Sequence, residues 1–265
     1  MNAHAPMARR GIALVLVLWI VVILGGIGTV VVREAHTSAG LALNVRASAV
    51  ARYAAESGIE ATVAEIERTL GETTDSVQRT TWLNALAVTP RDSIALGEGR
   101  VMVSIVDPTA RLDVNEAPEA NIALLLSRLG PPPRAASTAR AIRQWIERPA
   151  VSTDGRFAAP GAAAPRFVTP LRSLEELRSI PGVDIALLER AAPYLTIDGD
   201  GTVNVHAASD TVLAAAFGER RNEPSRLLLV ARGWRAGHPL THELQAVYAL
   251  SGTRLVLVHW REQER

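Results

Sequence analysis

Arg9-Arg10-Gly11-Ile12-Ala13-Leu14-Val15-Leu16-Val17-Leu18-Trp19-Ile20 begins an apolar run that meets no charged residue until Arg33. From Ile12 to Val32 the run is about 21 residues long, enough to cross a roughly 30 Å hydrocarbon core as one helix. Arg9 and Arg10 precede it, and positive charge on that flank keeps the N-terminus in the cytoplasm and sends the rest of the chain outward. A cleaved secretory signal needs a shorter apolar core and a small-residue cleavage site; Val30-Val31-Val32-Arg33 supplies none. A plain single-pass anchor accounts for the run but not for the glycine placed directly before it.

The helical pattern continues beyond the apolar run. Ile59, Val63, Ile66 and Leu70 recur at spacings of four, three and four, with Glu60, Glu65, Glu67 and Arg68 on other faces, the signature of an amphipathic helix. A helix from Ile12 to about Leu70 is roughly 90 Å long, with Gly40 and Gly58 as places for a bend. Gly71–Pro90 reads as a connection with a short helix at Trp82–Ala87. A first strand holds Val101, Val103 and Ile105, entered through Gly97 and Gly99 and closed by Asp107-Pro108.

Three more strands are expected at Arg226–Arg232, Leu244–Leu250 and Arg254–Trp260, the last two joined by a turn at Ser251-Gly252-Thr253. Strict alternation in the final strand puts Leu255, Leu257 and His259 on one face and Val256, Val258 and Trp260 on the other. Between first and later strands the pattern is helical: Glu119–Leu129, Ala135–Glu147, Ser173–Ser179, Ile185–Ala191 and Ser209–Phe217. Ser173, followed by Glu175 and Glu176, is a hydroxyl cap with acids in the first turn. Pro149–Pro170 reads as a long loop. An internal echo brackets the block: Arg111-Leu-Asp113-Val-Asn115-Glu-Ala117 resembles Thr202-Val-Asn204-Val-His206-Ala-Ala208, each ahead of a helix.

Composition narrows the function. The net charge is +1 and all 28 basic residues are Arg, so there is no charge excess that would steer the chain to nucleic acid. Aromatic residues are few, and without Cys there is neither a thiolate metal site nor a Cys nucleophile. No Gly-x-Ser-x-Gly elbow and no phosphate-cradling glycine loop is present, so no catalytic constellation is read. Leu177–Tyr194 has the form of a helix-hairpin-helix around Ile180-Pro181-Gly182-Val183-Asp184. Where DNA-binding versions place a second glycine, this chain has Asp184, whose charge repels phosphate; packing inside the helical block is the better reading.

Asp198-Gly199-Asp200-Gly201 holds the first two alternate acids of a calcium loop, but the sixth and twelfth positions are Val203 and Ser209 instead of Gly and Glu. Asp198 and Asp200 are therefore weak metal candidates, calcium the ion if any, and a turn into the next strand is the simpler account. His238 and His242 have the spacing of a zinc helix, but Pro239 lies between them.

The order Arg9-Arg10-Gly11 then Ile12-Ala13-Leu14-Val15-Leu16 resembles the type IV pilin-like, or prepilin, signal. That resemblance implies cleavage after Gly11 by a membrane prepilin peptidase, N-methylation of the new terminus Ile12, and retention of the apolar helix. Most such proteins begin with Phe and carry glutamate at the fifth mature position, where this chain has Leu16. A membrane-buried carboxylate is costly unless paired, and in pilins it pairs with a neighbour's charged amino terminus. Leu16 removes that docking interaction, as suits a subunit with no preceding neighbour.

Over most of its length the chain resembles the general secretion pathway protein K family, the largest minor pseudopilins of type II secretion systems. The carriers are the leader, Asp107–Ala117, Trp145-Ile146, Leu171–Thr196, Asn204-Val205-His206-Ala207-Ala208 and His259-Trp260-Arg261-Glu262. The resemblance implies an α+β fold: a pilin-like long N-terminal helix packed on an antiparallel sheet, interrupted by a helical, SAM-like or helix-hairpin-helix-like insertion. The expected parts are a leader at 1–11, a transmembrane segment at 12–32, a periplasmic helix at 33–70, a sheet domain at 71–110 and 200–265, and an insertion at 111–199.

Expected partners are other minor pseudopilins, the prepilin peptidase and the inner-membrane platform, with no nucleic acid and no enzymatic activity. The expected location is the bacterial inner membrane, single-pass, with the C-terminal domain in the periplasm. Where the family has acids directly after its Trp-Ile pair this chain has Glu147-Arg148-Pro149, a departure from the residues with which relatives hold calcium, and calcium stays an open cofactor. Two alternatives stay open: a membrane-anchored helix-hairpin-helix protein binding DNA during uptake, and a minor pilin of a related type IV pilus.

Overall fold

In the computed structural model, residues 9–89, 91–148 and 169–264 are described, the side chains of 9–13 and 263–264 excepted. Most of the expected leader and of the Pro149–Pro170 loop lies outside these residues. In chain order the elements are α1 (Arg9–Glu72), α2 (Ser76–Leu86), β1 (Ile94–Leu96), β2 (Gly99–Val106), β3 (Leu112–Asp113), α3 (Glu119–Ser127) and α4 (Pro132–Ile146). They continue with α5 (Ile185–Ala191), β4 (Leu195–Thr196), β5 (Val203–Asn204), α6 (Asp210–Ala215), β6 (Arg220–Arg221), β7 (Arg226–Arg235), β8 (Thr241–Ser251) and β9 (Arg254–Glu264). Leu174–Ser179, expected as α-helix, is a 3₁₀ helix.

Helix α1 is unbroken over 64 residues, roughly 95 Å at the helical rise. Its lower half lies across a five-stranded antiparallel sheet of order β1-β2-β7-β8-β9. The buried stripe on the helix runs Ala47, Ala51, Ala54, Ala55, Ile59, Thr62, Ile66 and Leu70, small at the top and large at the bottom. The small end lets backbone meet backbone: a Cβ on Gly58 would stand 2.6 Å from Val101 Cγ2, and one on Gly99 3.0 Å from the Ala54 Cβ. Gly58 is therefore a seat for strand β2 within a continuous helix, and not a bend. Ile66, Leu70 and Leu83 are wholly buried lower down with Leu227 and Leu229, each worth about 1.5–3 kcal/mol of transfer free energy.

Alternation sets the sheet's two faces. Val101, Val103 and Ile105 of β2, Leu227, Leu229, Ala231 and Gly233 of β7, and His242, Leu244 and Ala246 of β8 are buried, and all but His242 and Gly233 belong to one apolar cluster with α1. In β9 the expected alternation fails. The register steps between Val247 and Tyr248: Leu257 opposes Tyr248, His259 opposes Val247, and Val258 is the extra residue of a bulge. Residues opposite each other share a face, so Leu255, Leu257 and Trp260 lie on the α1 side and His259 turns to the other. One inserted residue reverses the face of everything after it. Strand β1 is a further departure: three residues, all exposed, folded back on β2 through a turn at Gly97, whose φ is +58°.

The residues between β2 and β7 enclose a second cluster, separate from the sheet's. Ile122, Leu125 and Leu126 of α3 face Ala135, Ala139, Ile142 and Ile146 of α4, with Leu177, Leu187, Leu188 and Ala191 closing the side. Val203, Val212 and Ala215 belong to this cluster too, so the helical core continues past residue 199, the expected end of the insertion. The cause is the second echo segment, which brings α6 back against α3; the Asn121 side-chain amide donates to the Ala215 carbonyl at 3.0 Å.

Candidate functional site

The echo is a repeated structural device. In the first copy Asp113 Oδ1 accepts from Asn115 N–H at 2.8 Å, Ala117 N–H donates to the Asp113 carbonyl at 2.8 Å, and α3 follows. In the second, Asn204 Oδ1 accepts from His206 N–H at 3.1 Å, Ala208 N–H donates to the Asn204 carbonyl at 2.9 Å, and α6 follows. Each Asx residue supplies a turn with its own side chain. Each copy also makes a two-residue parallel pairing, β3 with β4 and β5 with β6.

The two copies differ in charge. Asn204 is wholly buried and donates to Asp107 Oδ2 at 2.7 Å and to Asn84 Oδ1 at 2.7 Å, tying β5 to α2 and the exit of β2. Burial raises the Asp107 pKa against the hydrogen bonds from Thr109 and Asn204. Asp113 is buried without an ion pair among the described residues. Burial pushes its pKa up to about 6, the Glu116 charge adds to the rise, and the Asn115 and Glu116 N–H groups and Arg226 oppose it.

Asp198 and Asp200 lie where the helical block meets the sheet. Arg261 grips buried Asp198 through both carboxylate oxygens, at 2.9 and 2.7 Å, and His259 Nε2 lies 3.1 Å from Oδ1. The β9 bulge turns His259 and Arg261 toward Asp198; without it they would point at α1. Asp200 Oδ1 accepts from Thr202 N–H and hydroxyl at 3.0 and 2.7 Å, and Oδ2 accepts from Ser225 at 2.8 Å. Burial raises the Asp200 pKa, but these hydrogen bonds and Arg226 prevail and lower it. Arg226 also donates to the carbonyls of Asp198, at 3.3 Å, and Gly199. These carboxylates thus hold a bidentate guanidinium, an imidazole and three N–H or O–H donors, an arrangement that clamps the helical block to the sheet. Among the described residues no group of three or more His, Asp or Glu is placed to hold a metal ion.

His238 sits in the β7–β8 turn and His242 within β8, so their spacing does not give one helical face. Glu147 pairs with Arg143 at 2.7 Å, and the Arg148 guanidinium lies 4.0 Å over the Trp145 ring. In the hairpin, Gly182 takes φ +86° and Asp184 Oδ1 caps Leu187 N–H at 3.1 Å, a bond that lowers the Asp184 pKa. Asp184 N–H donates to the Thr138 hydroxyl at 3.3 Å, so a donor that a phosphate-binding hairpin presents outward is used to dock on α4.

Among the described residues, a long run of exposed apolar side chains lies on α1, from Leu14 to Val32. Its helix from Leu14 onward is long and apolar enough to cross a membrane: an 18-residue window has mean hydropathy 2.9, and none of it is buried. Leu16 is 58% exposed on that surface. Gly11 and Ile12 lie within the first turns of α1. The sequence carries no local signal of the Asp198–Arg261 clamp, because its halves are separated by more than sixty positions.

Residues 10–60 match the family described as PilX N-terminal, and residues 83–199 match that described as type II secretion system protein K. The second match covers α3 to α5 and ends one residue after Asp198. No curated protein matches the chain in sequence. Among solved structures it is similar to a chain in the crystal structure of the GspK-GspI-GspJ complex from the enterotoxigenic Escherichia coli type 2 secretion system. The identity is 14% and the TM-score 0.49, over 79% of this chain and 99% of that one.

Proposed function

We propose that this chain is a minor pseudopilin of the type II secretion system protein K family, whose model residues 83–199 match, and that it acts at or near the tip of a periplasmic pseudopilus. The observation that carries the reading is the family match to the helical block, borne on a helix whose upper part is wholly exposed and apolar. The proposed route begins in the inner membrane. Prepilin peptidase cuts after Gly11, Ile12 becomes the N-methylated terminus, and the domain beyond Arg33 stands in the periplasm. Assembly then uses the apolar helix, which packs against other minor pseudopilins on the secretion platform. Leu16 offers a neighbour's amino terminus no counter-charge, and the helical block adds bulk beside the sheet; both suit a terminal subunit. The action is assembly during protein export, not catalysis.

The test is mass spectrometry of the mature N-terminus in cells with an active prepilin peptidase. The expected chain starts at methylated Ile12, and Gly11→Ala leaves it unprocessed. An intact leader on the wild-type chain overturns the reading.

A further inference from the structure

Strand β9 ends the sheet. Ten of its eleven residues pair with β8 on one side, Val258 being the bulge, so among the described residues the other row of backbone N–H and C=O groups has no strand partner, and only Leu255 N–H donates elsewhere, to Glu67 at 2.8 Å. Sheet edges of this length are normally blunted by Pro, Lys, an inward-pointing charge or a bulge, and of these β9 has the bulge at Val258. Here β9 contains no Pro and no Lys, and two of its charges are already engaged: Arg261 with Asp198 and Glu262 with Arg52, at 2.7 and 3.2 Å. The edge instead presents Val256, Leu257, Val258 and Trp260, exposed by 53, 49, 42 and 51%.

The bulge at Val258 gives this edge a shape. It brings Trp260 onto the same side as Leu257, and the two wall a groove of about 220 Å³ against α1. Ile59, Leu244 and Ala246 form the buried floor, with Tyr248 beside them. The α1 rim is acidic. Glu56 is held by Arg52 at 2.8 Å, whereas exposed Glu60 has no ion pair among the described residues. Hydrogen-bond capacity along one wall, apolar depth for one or two side chains and a single free carboxylate define one kind of occupant.

We infer that the β9 edge docks an extended strand of a neighbouring pilin-like subunit, adding it to the sheet, with an aliphatic side chain in the groove and a basic residue at Glu60. Strand addition draws its affinity from the main chain and its specificity from pockets for alternate side chains. This surface rests on the assembly role proposed above. A helix laid on the same site would leave the open backbone row unpaired, and a second copy of this chain would bring its own acidic rim beside Glu60.

The native chain lacks Cys, so a single thiol reports one position. Full-length Val258→Cys, expressed with the other pseudopilins of its system, is labelled in membranes with a maleimide benzophenone and irradiated. Tyr53→Cys, on α1, and Ile185→Cys, on the helical block, are the comparison sites, both exposed. The expected product is an adduct between Val258→Cys and an identified pilin-like subunit, about tenfold more abundant than from either comparison site. Glu60→Arg lowers that adduct about tenfold. Equal yields at all three sites, an adduct with a second copy only, or no adduct on a processed chain each overturn the surface while leaving the assembly role standing. An unprocessed chain, read from the same sample, overturns both.

Discussion

Gly233 sits in β7 directly under α1, and replacing it by Ala tests how the helix is seated. A Cβ there would overlap the Ala51 carbonyl oxygen and stand 2.8 Å from the Ala55 nitrogen and 3.1 Å from the Ala51 carbonyl carbon. Ordinary non-bonded contacts begin near about 3.5 Å, so clearing the Ala51 oxygen requires α1 to lift by more than about 1 Å. A gap of that size forfeits about half or more of each dispersion contact it opens, and the contacts at stake are those of Ala51, Ala55 and Ile59 with the sheet. The obstacle is backbone and cannot rotate away, so the loss should reach the upper part of the about 1–3 kcal/mol range for overpacked cores.

Gly40→Ala, in the same helix, meets nothing within 4 Å and should gain up to about 1 kcal/mol from helix propensity alone. The assay is urea unfolding of the full chain in detergent, followed by tryptophan fluorescence, to which Trp82 and Trp234 contribute among five Trp residues. A Gly233→Ala chain within about 0.5 kcal/mol of wild type would refute the seating of α1 on β7.

Arg261→Ala removes the bidentate partner of buried Asp198 and should cost about 3–5 kcal/mol; Asp198→Asn in the same background should recover part of it, read by urea unfolding. Asp113 has a folded pKa of about 6 against 3.8, so the folded state binds more protons. Its contribution is complete below pH 4 and falls away by about 3 kcal/mol as pH rises through 6. Asp113→Asn should flatten that slope and raise stability at pH 7, and an unchanged pH profile would contradict the buried, unpaired carboxylate. Asp184→Ala removes the cap on Leu187 N–H and should loosen the hairpin, seen as faster amide exchange across α5.

The parts of the fold legible in the sequence were those encoded locally. The apolar run after Gly11, the helix stripe through Ile59, Ile66 and Leu70 and the Gly252 turn are carried by residues close together in the chain, whereas the cap expected at Ser173 makes no side-chain hydrogen bond. The echo was legible too, because Asp113 and Asn204 make their turns with their own side chains. Legibility ended at β1, whose three residues pair only because β2 lies beside them, and at Leu174–Ser179, where the signals for α-helix and 3₁₀ helix are the same. Gly58 read as a bend because a sequence cannot show what packs against a missing side chain; Val101 supplies the answer.

By itself, then, the sequence determined the long apolar N-terminal helix, the sheet's existence and the helical block, since periodicity and composition act over a few turns or one strand. Tertiary structure alone decided the direction of His259, Trp260 and Arg261. A bulge depends on which residue of β8 opposes which residue of β9, and Leu257, Val258 and His259 carry no mark of it. That one displaced residue turns Arg261 to the clamp on Asp198 and Trp260 to the open groove beside α1.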